Sequence, residues 1–162
     1  NVIFLREVDG ETENTKALQK KIVEVVRKQK PDIVLSLSPA GFDFENIYRS
    51  HSDHRNVAIA VFDALYPAAG SSVFFPELLK KGLHPHQIEE VWFWGSSHPN
   101  KVVDISKTID AKITALQCHE SQIGDDEIGG TKGLGNRIKA RARKEAGKRK
   151  MKYAETFRVV LF

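Results

Sequence analysis

The sequence predicts an α/β fold, on three observations. Leu18, Ile22, Val25 and Val26 recur at helical spacing between Thr15 and Lys28, the pattern of a helix with one buried face. Asp32-Ile33-Val34-Leu35-Ser36-Leu37 is a short apolar run rich in β-branched residues, the composition of a central parallel strand. Similar short runs at Glu90–Trp94 and Phe157–Phe162 are separated from it by further helical patterns, and such alternation builds a mostly parallel sheet flanked by helices.

Val2–Leu5 reads as a short buried strand, followed by a turn at Asp9-Gly10. Asn14 or Thr15 can cap the first helix, Lys28–Lys30 place positive charge near its C-terminal dipole, and Pro31 ends it. Strand, helix and strand within the first 37 residues make a βαβ unit. Ser38–Ser50 is polar and aromatic, with Pro39, Gly41, Phe42, Phe44 and Tyr48. It lies where the carboxyl end of a strand meets the next helix, the place where open α/β sheets bind ligands.

The second helix is expected over about Asp53–Tyr66, with Val57, Ala60, Val61, Ala64 and Leu65 inward. A break follows from Pro67 to Pro76. Val102–Ile105 reads as a short strand, and Ile109, Ile113 and Leu116 mark a helix ending near His119. Gly124–Gly133 reads as a loop, and Leu134, Ile138, Ala142 and Ala146 as the docking stripe of a basic helix.

At 162 residues the chain can bury a core, and 41% hydrophobic with 28% charged residues is ordinary for a globular domain. No run reaches the length of a membrane span, and the N-terminus lacks signal-peptide features. Cys118 is the single cysteine, so neither an intrachain disulfide nor a thiolate metal cluster can form. The lone cysteine fits a reducing compartment, and a cytoplasmic location is the expectation. The chain starts without Met, directly in an apolar run, as a sequence cut within a domain would; the expectation is an α/β domain with its N-terminal portion missing.

The formal charge of +4 is uneven: Lys132–Lys152 holds ten Lys/Arg against one acid, Glu145. Such a stretch could meet nucleic acid or anionic lipid, but its apolar stripe reads as a docked, solvated helix, and no nucleic-acid partner is expected.

His51-Ser52-Asp53-His54-Arg55 is the candidate for chemistry. Two imidazoles three residues apart project to one side if a helix begins there. Imidazole binds zinc and carries protons near neutral pH, and a nearby carboxylate can fix its tautomer. The expectation is that His51, Asp53 and His54 gather at the carboxyl edge of the sheet, beside residues 40–50. Spacing alone equally allows Asp53 to be a helix N-cap with two surface histidines beside it.

His84 and His86 flank Pro85 and read as structural or surface residues, and His98 has no partner in sequence. Trp92 and Trp94 share one strand face, a pattern of core. The absence of GxGxxG and Walker sequences disfavours a nucleotide binder.

Several segments resemble one family in order along the chain. Phe4-Leu5 with Asp9-Gly10 resembles its strand-then-DG segment, and Arg27 to Val34 its "IRK…KPDVV" stretch. Arg49-Ser50-His51-Ser52-Asp53-His54-Arg55 resembles its "HPDHR" motif, with Ser52 in place of Pro. Phe75-Pro76-Glu77-Leu78 with Pro85-His86 resembles "FPELL…PH". Val103-Asp104-Ile105-Ser106, Lys112 and His119-Glu120-Ser121-Gln122 resemble "VDIT…K…AL..H.SQ", and Tyr153-Ala154-Glu155-Thr156-Phe157-Arg158 resembles "YAEAFR". The family is the LmbE-like (PIG-L) N-deacetylases, which includes N-acetylglucosaminyl-phosphatidylinositol de-N-acetylase.

That resemblance implies a Rossmann-like sheet, with residues 1–162 as the C-terminal part of one deacetylase domain, and hydrolysis of an N-acetyl group on an N-acetylglucosaminyl-type conjugate. It implies one Zn2+, with His54 as a ligand, His51 as oxyanion stabiliser or general acid, and Asp53 orienting His51. The family's first motif, AHPDDE, supplies the other His and Asp ligands and a carboxylate base. It is not in this sequence, so the chain alone is expected to be inactive without that segment as a partner. Phe44, Tyr48, Arg49 and His119 are candidate substrate contacts, and homo-oligomerisation is left open. The competing reading is a non-catalytic α/β module that binds an anionic partner through the basic helix.

Overall fold

The computed structural model describes residues 1–40, 51–119, 121 and 130–162, the side chains of 130–132 excepted. Helix α1 spans Lys16–Gln29. Thr15 caps it, its hydroxyl accepting from the Leu18 amide at 3.1 Å. It ends at Lys30 in a left-handed conformation, with the Lys30 amide on the Val26 carbonyl, before Pro31. Strand β1 (Ile33–Leu37) follows, then α2 (Ser52–Asp63). The segment Ala64–Ala69 continues as a π-type turn broken by extended Tyr66, ahead of Pro67. Pro76–Lys81 forms a 3-10 helix where the expected break ends, with Leu78 fully buried there. Next come β2 (Glu90–Trp94), β3 (Lys101–Asp104), α3 (Ile109–Gln117), α4 (Gly130–Ala146) and β4 (Ala154–Leu161).

Hydrogen bonds order the strands β1-β2-β4-β3. The β1/β2 pair is parallel, in register Ile33↔Glu90 to Leu37↔Trp94; β2/β4 is antiparallel, from Glu90↔Leu161 to Trp94↔Phe157. The α/β class therefore holds, with a mixed sheet.

Two compact units divide the described chain: Asn1–Pro99 with Phe157–Phe162, and Asn100–Thr156. In the first, Val26, Leu65, Ala69, Ile88, Val91 and Phe93 form a core with Val34, Val61 and Val160 against it. Val23, Ala64, Ala68 and Leu78 form a second cluster. In the other unit, Ile105, Ile109, Ile113, Ala142 and Tyr153 pack together with Val103 and Ile138, so the predicted stripe of α4 is the face it docks.

Four expectations are corrected. Val2–Leu5 is not a strand: it has no ladder partner among the described residues, and Phe4 is 72% exposed. The parallel crossover is instead β1–α2–β2. Strand β1 is not central among the described strands; it lies at the end of the sheet order with Leu35 62% exposed. On α2, Val57 faces outward at 41% exposure, while Ala58 is buried. Gly130–Gly133 belongs to α4 rather than to a loop, and the basic helix ends at Ala146, where Gly147 takes a φ of +57°. Among the described residues no helix is long and apolar enough to cross a membrane.

Candidate functional site

Helix α2 follows β1 in the chain and begins at Ser52. His51 is its N-cap: the Nδ1 of the ring accepts from the Asp53 amide at 3.3 Å, and the His51 carbonyl accepts from the Arg55 amide at 3.1 Å. The cap is thus His51 and not Asp53. His54 stands one turn on. The two rings, both exposed, are 5.6 Å apart between centroids, as the three-residue spacing requires.

The Asp53 carboxylate is engaged elsewhere. Its Oδ2 accepts from the Gly10 amide at 2.7 Å, and Ser52 Oγ lies 3.5 Å from Oδ1. The Gly10 bond, joined by Thr12 and by the nearby His51, holds the Asp53 carboxyl below the usual carboxylate range against a smaller opposing effect of burial. Asn56 on the next turn donates to the Thr12 carbonyl at 2.7 Å.

His119 belongs to the other unit. It is exposed at the end of α3, its amide on the Leu116 carbonyl at 3.1 Å. Phe44, Tyr48, Arg49 and Gln122 lie outside the described residues. His86 is structural, its Nε2 2.8 Å from the Pro31 carbonyl oxygen. Trp92 donates to Glu90 at 2.6 Å and packs on Phe157, whereas Trp94 is exposed.

The sequence reading missed the attachment of Gly10 and Thr12 to α2. Only the Asp9-Gly10 turn signal pointed to that segment, and nothing local named its partner.

The donor chemistry suits a divalent metal in part. Either imidazole can be a ligand, but among the described residues no group of three His, Cys, Asp or Glu converges. A catalytic zinc takes three protein ligands, so the described residues supply an incomplete set.

The PIG-L family, GlcNAc-PI de-N-acetylase, matches residues 1–65. Diacetylchitobiose deacetylase of Thermococcus kodakarensis is 37% identical over 118 residues, 73% of this chain and 42% of that protein. The N,N'-diacetylchitobiose deacetylase structure from Pyrococcus horikoshii, complexed with its inhibitor, superposes with a TM-score of 0.83 at 25% identity, covering 97% of this chain and 56% of the other. A conserved protein of Thermus thermophilus shares the fold, with a TM-score of 0.69 at 23% identity over 94% of this chain and 62% of its own. The chain thus spans less than half of the curated relative it matches.

Proposed function

Because this chain belongs to the PIG-L, or LmbE-like, family, we propose that the whole protein is a metal-dependent N-deacetylase acting on an N-acetylglucosaminyl-type conjugate. The observation that carries the reading is the pair of exposed imidazoles, 5.6 Å apart at the head of α2, in a chain that superposes on a deacetylase over nearly all its length. That coverage also supports reading residues 1–162 as part of one deacetylase domain.

In this reading His54 is a metal ligand, and the remaining ligands and the general base come from polypeptide outside residues 1–162, as the greater length of the relatives allows. A bound divalent metal supplies an acidified water and polarises the acetamide carbonyl. His51 acts beside it: with Nδ1 taken by the cap bond, Nε2 is the ring atom suited to donate to the developing oxyanion. Acetate and a free amine result. Asp53 fixes the first turn of α2, from which both rings project. Phe44, Tyr48, Arg49 and His119 are the proposed substrate contacts.

The test is acetate release from N,N'-diacetylchitobiose by the full-length protein, before and after chelation. Release that stops on chelation and returns with about one equivalent of Zn2+ is the expected result. A metal-loaded protein that hydrolyses no N-acetylated sugar would favour the non-catalytic module.

A further inference from the structure

A second feature of α2 lies on the side occupied by Asp53. Asp53, Asn56 and Asp63 are spaced three and seven residues apart, so they fall on one helical face, and buried Ala60 lies between them on that face. All three are bonded to one short stretch of chain more than forty residues earlier. The Gly10 amide donates to Asp53 at 2.7 Å, Asn56 donates to the Thr12 carbonyl at 2.7 Å, and Asn14 donates to Asp63 at 3.0 Å.

The partners rise together along both elements, so the stretch runs parallel to the helix. Ten helical residues rise about 15 Å and four residue steps reach at most about 13–14 Å, a difference that the side chains of Asn14 and Asp63 bridge. The far end is locked again: Gln19, itself buried, donates to Asp63 at 3.1 Å and to Asn14 at 2.8 Å. Thr12 is buried against the helix. Gly10 has a φ of +84° with open space where a Cβ would stand, so glycine is needed there for backbone conformation and not for clearance.

We infer that residues 10–14 are a positioning strap for the candidate site: they fix the rotation and advance of α2, and through it the aim of His51 and His54. This rests on the deacetylase reading for its catalytic consequence, but the geometric claim is independent of it. Asp53 is then a positioning residue, its carboxylate turned to the strap while its amide holds His51. Asn56 and Asn14 act through the helix without contacting substrate. Small misplacement of a reacting group costs rate far more than binding, so loosening the strap should be read in kcat.

The test uses the full-length protein with N,N'-diacetylchitobiose and three variants: Asn56→Leu, Asn14→Ala and Gly10→Ala. In each, kcat is expected to fall on the order of tenfold with KM within about twofold. The ring resonances of His51 and His54 should move in NMR spectra of the metal-free protein, while those of His86 and His98 stay. Folded variants whose His51 and His54 resonances are unchanged would overturn the inference, as would losses of kcat that only track the unfolded fraction. Should Asn56→Leu fail to fold, Asn14→Ala and Gly10→Ala carry the same readouts. If wild type itself releases no acetate, the deacetylase reading fails, and the histidine resonances still decide the strap.

Discussion

Replacing Arg27 by Met should cost about 2–3 kcal/mol of stability. Arg27 is 1% exposed at the end of α1. Its Nε donates to the Ala69 carbonyl at 3.2 Å, and one terminal nitrogen is shared among the carbonyls of Ala68 (3.0 Å), Ser71 (2.7 Å) and Phe74 (3.0 Å). The guanidinium therefore gathers the chain that leaves α2, adding to the backbone bonds that Ala68 and Ala69 accept from Ser71 and His86. Met fills a similar volume but donates nothing.

The carbonyls of Ala68 and Ala69 belong to fully buried residues; each loses its guanidinium donor but keeps a backbone one, from Ser71 at 3.4 Å and His86 at 3.0 Å respectively, so each loss is about 1 kcal/mol. Those of Ser71 and Phe74 are only partly buried and lose less, because water can replace the donor. Relief acts the other way: burial lowers the Arg27 pKa below its ordinary value despite the opposing charge of Glu77, and the second terminal nitrogen has no partner among the described residues. Removing that desolvated charge returns part of the loss, so the net cost sits below the sum of the bonds. At about 2–4 °C per kcal/mol for a chain of this size, the melting temperature should drop by about 4–12 °C. Denaturant titration with a parallel thermal melt measures it, and a loss under about 1 kcal/mol would refute the view that Arg27 organises residues 68–74.

Three carboxylates, Asp53, Glu77 and Asp104, are held below their ordinary range, chiefly by the Gly10 amide, Lys20 and Ser106 respectively. A folded-state pKa that is depressed adds stability above the unfolded value, and that contribution disappears as pH falls through the folded value. Stability should therefore be level near neutrality and decline below about pH 4, less steeply in Asp53→Asn; an identical slope in that variant would count against the Gly10–Asp53 bond. The basic face of α4 should bind duplex DNA no more than weakly at physiological salt. Tight binding that weakens steeply as salt rises would contradict the solvated-helix reading, in which Ala142 and Ala146 are buried and Lys139 pairs with Asp110 at 2.8 Å.

Elements set by local signals were legible in the sequence. Helix α1 follows from its cap, its stripe and Pro31; strand β2 matches Glu90–Trp94; and α3 and the docking stripe of α4 follow from apolar spacing. The candidate histidines were legible for the same reason, being three residues apart on one helix. Features decided by distant partners were not. Val2–Leu5 has the composition of a strand, but a strand also needs a neighbour to bond to. Ile33 and Leu35 suggested burial on both faces, yet position in a sheet depends on pairing that composition does not specify. Likewise, Asp53 could be read as a cap or as an orienting carboxylate, while its bond to Gly10, 43 residues away, has no trace in local spacing. The 3-10 helix at Pro76 was hidden because a Pro marks a break without saying what structure follows it.

The central claim is that His54 holds a metal and His51 assists the chemistry, and paired substitutions in the full-length protein test it most directly. Metal content would be measured alongside amine release from an N-acetylglucosamine conjugate. His54→Ala should lose metal and activity together, because a catalytic site depends on three protein ligands. His51→Ala should keep its metal while turnover slows on the order of a hundredfold or more. A His54→Ala protein with full metal occupancy and a normal rate would contradict the account.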